Sequence, residues 1–179
     1  MDDLYIAKVL AGDADAYRYF LRRYQDMAYS LAMSILKDEF LAEEAVQDAF
    51  IKAFNALDSF AQRSSFKTWF YRIVLNESFL RAKKQKREFL EFRPEYDGEL
   101  PDESALRKIN QDEQAWLVSE ALKRLPDREA VTLRLFYLEE ENIKGISEIT
   151  GWTEANIKVI LHRARKSMLG ACNKLLKHG

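Results

Sequence analysis

The chain of 179 residues contains little cysteine, histidine and proline, and it has no long apolar run. A single cysteine, Cys172, excludes a disulfide within the chain, and together with two histidines it provides too few soft ligands for a structural zinc site. Acidic Asp2 and Asp3 follow Met1 where a secretory signal would have an apolar segment, and no stretch reaches membrane-spanning length. We therefore expect a cytoplasmic protein.

Sequence motifs of the common enzyme classes are also missing. There is no Gly-rich phosphate loop, no GxSxG elbow and no HExxH site. His162 and His178 both lie in the basic C-terminal segment, where we interpret His162 as a surface or capping residue rather than a catalyst. We expect no enzymatic activity, no cofactor and no metal.

Charge is balanced overall but unevenly placed. The 28 Lys and Arg residues nearly cancel the 29 Asp and Glu residues. No acidic residue follows Glu154, acids dominate the span from Glu95 to Glu113, and one cluster of cations comprises Arg81, Lys83, Lys84, Lys86 and Arg87. Separated basic stretches indicate two surfaces that face polyanions, although a solvated helix face is the commoner explanation for any single run.

Apolar residues recur at helical spacing through the first half of the chain. The pattern predicts a long helix after a cap at Asp13, a second that opens at Asp38, and a third that is capped by Ser64 or Ser65 and runs toward Lys86. The buried positions predicted for the first two helices are Ala16, Phe20, Tyr24, Met27, Leu31, Ile35, Ala42, Ala45, Val46, Ala49, Phe50, Ala53, Phe54 and Leu57.

Helical spacing resumes near Asp112 in the second half. We predict a helix from Gln114 to Leu125, a restart at Pro126-Asp127 that runs to about Leu138, and then two shorter helices divided at Gly151.

A polar, acid-rich stretch without helical spacing separates the two halves. It contains Pro94, Gly98 and Pro101, and we interpret it as an interdomain linker. Strand-like alternation is absent, so the sequence predicts an all-α protein of two small helical domains joined by an acidic linker. The predicted spans are an N-terminal helical bundle at 1–92, the linker at 93–112 and a C-terminal helix-turn-helix domain at 113–179.

The segment from Ile143 to Arg165 has the spacing of a helix-turn-helix. It combines apolar contacts between helices, a small residue where they cross and a turn residue free to take a positive φ, at Ile146, Ser147, Gly151, Ile157 and Ile160. Thr153 can cap the second helix, whose exposed side then presents Glu154, Asn156, Lys158, His162, Arg163 and Arg165. We predict that its first turns reach base edges in a major groove and that its later cations contact phosphates; a purely structural hairpin is the alternative.

The third predicted helix mixes aromatic, amide and cationic side chains. Its core face is predicted from Phe70, Ile73, Val74 and Leu80, and a different face carries Trp69, Arg72, Asn76, Phe79 and Lys83. Single-stranded DNA needs such a mixture to stack bases and neutralise phosphates, although aromatic residues at this spacing are as often core residues. The candidate contacts are Ser64, Ser65, Phe66, Lys67, Trp69, Arg72, Asn76, Arg81, Lys83 and Lys84.

The second predicted helix has a polar face suited to a protein partner. That face offers Glu43, Glu44, Gln47, Asp48 and Lys52 around an apolar edge. From periodicity alone, a solvated face is the favoured explanation.

Together and in this order, the three segments resemble the extracytoplasmic-function (ECF) class of bacterial sigma factors, over the chain from Ala11 to Met168. The string from Glu43 to Phe54 resembles the family's contact helix for the clamp of RNA polymerase. The string from Ser65 to Ile73, with Asn76, resembles its minus-ten element. Leu125 to Glu129 and the helix-turn-helix ending in Leu161 to Arg165 resemble the domain that reads the minus-thirty-five element. Val159 and Ile160 stand where many relatives have small or basic residues.

The resemblance implies a factor that binds core RNA polymerase through the beta-prime clamp and the beta flap and recognises two promoter elements. It implies that residues 1–92 correspond to sigma region 2 and residues 113–179 to region 4. The loop matching Phe60 to Thr68 would hold a base flipped from the non-template strand, with Asn76 near that pocket. An anti-sigma factor that covers these faces is a further partner found in the family, and no membrane insertion is implied.

The residues alone leave a second class open. A helix-turn-helix regulator could bind duplex DNA as a dimer and use its N-terminal helices for dimerisation or ligand sensing. Such a regulator binds duplex DNA tightly without polymerase. A sigma factor binds duplex DNA weakly by itself and supports promoter-dependent transcription once polymerase is added.

Overall fold

The computed structural model describes residues 1–88 and 111–178, with the side chains of residues 1–85 and 113–177. All regular structure in these residues is helical, and the chain forms two compact units, the first built mainly from Met1–Glu88. The predicted all-α, two-domain architecture is confirmed. The predicted linker lies, up to residue 110, outside the described residues, so the domain boundaries stay predictions.

The first unit consists of four helices: α1 at Asp2–Leu10, α2 at Arg18–Leu36, α3 at Glu39–Asn55 and α4 at Phe66–Glu88. Short 3-10 turns at Ala14–Tyr17 and Leu57–Ser59 precede α2 and follow α3. The sequence analysis missed α1, which buries Ile6 alone among its residues and therefore has only a weak apolar pattern.

Polar caps define the helix starts in the first unit. The Asp38 carboxylate accepts a hydrogen bond from the Leu41 N–H at 2.9 Å, and Ser65 Oγ accepts one from the Thr68 N–H at 3.1 Å. Ser65 rather than Ser64 therefore caps α4. Asp13 also acts as a cap, by accepting from the Ala16 N–H, but it starts the 3-10 turn ahead of α2 rather than α2 itself.

Aromatic rings fill the core where α2, α3 and α4 meet. The rings of Phe20 and Phe66 lie 4.2 Å apart between centroids, and those of Phe50 and Phe70 lie 4.5 Å apart. Between them, α3 presents four fully buried alanines, which let the neighbouring helices approach closely: Ala42, Ala45, Ala49 and Ala53.

For two residues of the first unit, the prediction of a core position is wrong. Phe54 is 41% exposed and Leu80 is 62% exposed. Leu80 lies away from the buried stripe of α4, which runs through Val74, Ser78 and Ala82. Phe54 lies at the edge of the α3 stripe, where only the ring of Tyr17 contacts it among the described aromatic residues.

The second unit contains α5 at Gln111–Arg124, α6 at Asp127–Leu133, α7 at Ile143–Thr150 and α8 at Glu154–His178. Its helices follow the predicted order, with two differences. A π-helical turn, Arg134–Leu138, forms the last part of the helix predicted after Pro126. The last helix is long, at 25 residues, because its apolar stripe continues through Leu161, Ala164, Ala171 and Cys172.

The core of the second unit is mainly aliphatic. Leu117 and Leu122 of α5, and Leu125 directly after it, pack with Leu133 of α6 and with the stripe of α8. This packing buries one side of α8 and leaves its other side to solvent.

Candidate nucleic-acid and protein interfaces

The predicted helix-turn-helix is present between α7 and α8. Gly151 ends α7 with a φ of +77°, and its N–H donates to the Ser147 carbonyl at 2.8 Å. Ser147 Oγ donates to the Trp152 carbonyl at 2.6 Å, and Thr153 Oγ1 accepts from the Asn156 N–H at 3.2 Å, which starts α8. The turn is therefore fixed by one left-handed glycine and two hydroxyl groups.

The outer side of α8 carries the predicted DNA contacts. These side chains are exposed: Thr153, Glu154, Asn156, Lys158, His162, Arg163 and Arg165. Arg165 differs from the others, since its Nε donates to the Tyr137 hydroxyl at 2.8 Å and its guanidinium lies over the rings of Phe136 and Tyr137. Sequence analysis missed this contact, which holds Arg165 against its own unit.

The two unusual residues of the recognition helix have different positions. Ile160 is 7% exposed and belongs to the core with Ile146 and Ile157, whereas Val159 is 49% exposed. Only Val159 thus replaces a surface side chain that could contact DNA.

The loop and first turns of α4 form the candidate minus-ten surface. Phe66 is 2% exposed and belongs to the core, where it supports the loop from below. The rings of Phe60 and Trp69 lie 4.7 Å apart above it, with Trp69 partly exposed. Lys67 lies over the ring of Tyr71 at 5.8 Å, and Arg72 and Asn76 are exposed on the next turns.

The cations at the end of this surface are not equivalent. Arg81 bonds both to Glu44, at 2.8 Å, and to Asp48, so a predicted DNA contact is paired with two predicted protein contacts. Lys83 and Lys84 are exposed. Lys52 pairs with Glu77 at 2.5 Å, a largely buried carboxylate that the sequence analysis did not select.

The outer face of α3 combines exposed polar and apolar side chains. Glu43 and Gln47 are exposed, and Glu44 and Asp48 are partly covered by Arg81. Phe40 and Ile51 on this helix are 68% and 58% exposed. Such a mixture of large apolar and charged side chains is typical of a protein-binding surface.

The second unit also contains an apolar groove that sequence analysis missed. Its volume is about 620 Å³, and its lining includes Leu117, Val118, Leu138, Met168 and the side chain of Arg134. Burial lowers the pKa of Arg134, and the nearby charge of Glu139 opposes this effect. The groove could not be found by periodicity because it is formed by three separate segments.

Residues 1–88 and 111–178 contain neither a candidate metal site nor a candidate membrane span. In this part of the chain no group of three or more His, Cys, Asp and Glu side chains is placed to hold a metal ion. None of the helices described there combines the length and the apolar character needed to cross a bilayer.

Two family models match the chain at the positions of its two compact units. The model of Sigma-70 region 2 matches residues 20–88, and the model of Sigma-70, region 4 matches residues 116–168. Curated relatives cover nearly the whole chain. The ECF RNA polymerase sigma factor SigW of Bacillus subtilis is 29% identical over 91% of this chain and 92% of its own. The RNA polymerase sigma-H factor of Pseudomonas aeruginosa is 28% identical over 98% of this chain and 96% of its own.

Solved structures share the fold. The sigma factor RpoE of Bartonella quintana, in complex with the anti-sigma factor NepR, has a TM-score of 0.67 at 23% identity, covering 88% of this chain and 96% of that one. CnrH, in complex with the cytosolic domain of CnrY, has a TM-score of 0.62 at 22% identity, covering 98% and 96%. These likenesses give no support to the alternative of a dimeric regulator. Because the two family models together match more than half of the chain, it belongs to the sigma-70 family, as an ECF sigma factor that acts with RNA polymerase to direct promoter-specific transcription initiation.

Proposed function

We propose that the surface formed by the loop at 60–65 and α4 recognises the minus-ten element and holds an unpaired base. The observation that carries this proposal is the pair of Phe60 and Trp69, whose rings lie 4.7 Å apart on a buried support, Phe66. Exposed Asn76 follows on the same helix, where its amide can bond to a base edge. Aromatic surface, amide and cations are thus combined around one loop.

This surface can offset part of the cost of opening the duplex. Removing one base from its stack costs a few kcal/mol, and stacking on a protein ring returns about 1–3 kcal/mol. Lys67, on the first turn of α4, lies over the Tyr71 ring and adds a positive charge near the strand's phosphates. The melting step then needs no chemistry from the protein, and we propose that the chain has no catalytic role.

We propose that α8 reads the minus-thirty-five element from the major groove. Thr153 and Asn156 begin the helix, so their side chains lie where a recognition helix contacts base edges. Lys158, His162 and Arg163 follow on the exposed side and suit the phosphates. Arg165 contributes by holding the π-helical turn through Tyr137 rather than by contacting DNA.

We propose that core RNA polymerase binds at two places. The outer face of α3, with Glu43, Gln47 and Ile51, fits the clamp, and the apolar groove of the second unit fits a helix of the flap. Arg134 in the groove favours a partner helix that carries an acidic residue among apolar ones. A factor that works with polymerase on chromosomal DNA acts in the cytoplasm.

An anti-sigma factor is a further proposed partner. The RpoE structure contains such a protein, and both faces proposed here for polymerase leave large apolar side chains exposed, including Phe40 and Tyr137. A protein that covers these faces would block polymerase binding.

The first experiment is transcription from a randomised promoter library by purified core polymerase, with and without the chain. We expect initiation that depends on the chain and shares two spaced sequence elements. The Asn76→Ala variant should lose selectivity at the minus-ten element and keep polymerase binding, while Gln25→Ala, which removes an exposed amide from α2, should behave as wild type. No dependence on the chain, with tight binding to duplex DNA alone, would instead indicate a regulator.

The clamp contact is tested by reversing a charge that takes part in no ion pair among the side chains described at residues 1–85. Glu43→Lys should weaken polymerase binding, measured with labelled chain and core enzyme, without changing the free energy of unfolding. Asp26→Lys on α2 is the matched control. Equal polymerase affinity in both variants would show that the outer face of α3 is a solvent-exposed surface and not a polymerase contact. Asp48 is less suitable, because reversing it also disrupts the pair with Arg81.

A further inference from the structure

The first unit has a second cationic and aromatic surface, outside the proposed minus-ten and polymerase sites. A cleft of about 600 Å³ lies between α1 and the start of α2, and we call it the arginine cleft. Its lining is Tyr5, Asp15, Arg18, Tyr19, Arg22 and Arg23, with Ala16. Most of this lining precedes the region 2 match, which begins at residue 20.

The tyrosine wall of the arginine cleft is held firmly in place. The rings of Tyr5 and Tyr19 stack in parallel, with centroids 3.9 Å apart. The hydroxyl of Tyr19 donates to one oxygen of Asp2 at 2.8 Å, and the hydroxyl of Tyr24 donates to the other at 2.5 Å. Asp2 thus fastens α1 to α2 and builds one side of the cleft.

This wall also orients one of the arginines. The Arg23 guanidinium lies over the rings of Tyr19 and Tyr24, at 5.8 and 5.6 Å from their centroids. Its Nε donates to the Tyr24 hydroxyl at 3.3 Å. Since its conformation is already restricted, little further side-chain entropy is lost when it binds a ligand.

The charge of the arginine cleft favours an anion. Three guanidinium groups face two carboxylates, so positive charge is in excess. Asp2 lies 3.6 Å from Arg23 Nε, and Asp15 lies 3.3 Å from Arg18 in a pair whose side chains are 73% and 84% exposed. Such an exposed pair is weak and readily exchanged. Arg18 and Arg22 lie one helical turn apart, a rise of about 6 Å, so both can reach one strand of phosphates.

The arginine cleft and the minus-ten surface are backed by the same buried aromatic core. The Tyr24 ring beneath Arg23 lies 5.5 Å from the ring of Phe66 and 6.1 Å from that of Tyr71. Lys67 lies over Tyr71. The cations of the cleft and of α4 therefore border one shared aromatic layer.

We propose that the arginine cleft binds backbone phosphates of the single-stranded DNA that flanks the minus-ten element. The inference rests on the proposed function of α4. It adds a sequence-independent contact that holds the strand beyond the loop, since guanidinium groups bind phosphates without reading bases.

The test uses holoenzyme made from core polymerase and the full chain, with two single-stranded oligonucleotides. One is confined to the minus-ten element, and the other extends about six nucleotides further on both sides, so that phosphates beyond the element are present. The variant is Arg18→Gln with Arg22→Gln. The control is Lys37→Asn, which removes a cation at the opposite end of α2, where φ is +56° and asparagine is tolerated.

We expect the double variant to bind the extended strand more weakly. Its affinity should also depend less on salt: the slope of log K against log salt should become less negative by about 1.4, or 0.7 for each lost phosphate contact. Its binding to the short strand should match wild type, and the control should match on both. Equal binding of the extended strand, or loss of core polymerase binding, overturns the proposal; the second result assigns the cleft to a protein contact. If wild-type holoenzyme binds neither strand, the proposed function of α4 fails first.

Discussion

The two helices proposed to contact DNA, α4 in the first unit and α8 in the second, carry their charges differently. On α4, Arg81 is bonded to Glu44 and Asp48 of α3, and Glu77 is bonded to Lys52. On α8, Lys158, His162 and Arg163 make no ion pair within residues 111–178. The first helix thus uses part of its charge to hold its own unit together, while the second presents its charge outward.

Because of this difference, substitutions on the two helices should have different effects on binding and on stability. A substitution of Lys158, His162 or Arg163 changes what can be bound and little else, because these side chains make no ion pair among the described residues of the second unit. A substitution on α4 can change stability, the α3 face and DNA binding together. The two helices also pack differently. The buried side of α4 carries Phe66, Phe70 and Tyr71, whereas the buried side of α8 carries small and aliphatic side chains.

The largest expected effect follows from the aromatic core behind α4. Phe70→Ala should lower the free energy of unfolding by about 3–5 kcal/mol, because Phe70 is fully buried against Phe50. Leu80→Ala on the same helix is the control and should change it by less than about 0.5 kcal/mol, since Leu80 is 62% exposed. Urea denaturation followed by far-UV circular dichroism measures both. Similar losses for the two variants would show that α4 packs through a different face.

The next effect isolates recognition on α8. Asn156→Ala should weaken binding of holoenzyme to its selected minus-thirty-five element by about 1–3 kcal/mol, because an amide that bonds a base edge is lost. The free energy of unfolding should remain the same, since the Asn156 bond to Thr153 uses its backbone N–H. Competition between selected and scrambled duplexes gives the measurement. A variant that loses affinity equally for both duplexes would make Asn156 a phosphate contact.

The first unit should lose stability at alkaline pH. Burial raises the pKa of Tyr17 and of Tyr24 in the first unit well above the usual value near 10. The folded state then keeps these protons at a pH where the unfolded chain releases them. Stability is therefore complete below about pH 10 and falls above it, by up to about 1.4 kcal/mol per pH unit for each tyrosine.

Tyr17→Phe tests the source of this pH dependence. The variant loses the bond from the Tyr17 hydroxyl to the Phe50 carbonyl, at a cost of about 1 kcal/mol near neutral pH. Its loss of stability between pH 10 and 11 should be smaller than in wild type, as measured by urea unfolding at each pH. An unchanged alkaline slope would assign the effect to other groups.

Local sequence patterns predicted most helices, caps and the turn at Gly151, because each depends on neighbouring residues. They failed where the outcome depends on contacts between distant segments. Leu80 has an apolar side chain but lies outside the stripe that α2 and α3 cover, and Arg165 contacts Tyr137, 28 residues away. The pairing of Arg81 with α3 and the groove beside Arg134 depend on how helices pack. A pattern along one helix cannot reveal which of its exposed cations has a partner on another.

Arg81 gives the sharpest test of the difference between α4 and α8, with the smallest expected effect. Because Arg81 is committed to Glu44 and Asp48, Arg81→Ala should leave the salt dependence of binding to single-stranded minus-ten DNA unchanged. Its cost in stability should be no more than about 1 kcal/mol, since all three side chains are partly exposed. Lys84→Ala, three residues further along the helix, should weaken the salt dependence, so that the slope of log K against log salt becomes less negative by about 0.7. If Arg81→Ala weakens the salt dependence as much as Lys84→Ala does, Arg81 must break its ion pairs with Glu44 and Asp48 in order to contact DNA. The acids of α3 would then be exposed to polymerase only when DNA is bound, which would couple the two surfaces of the first unit.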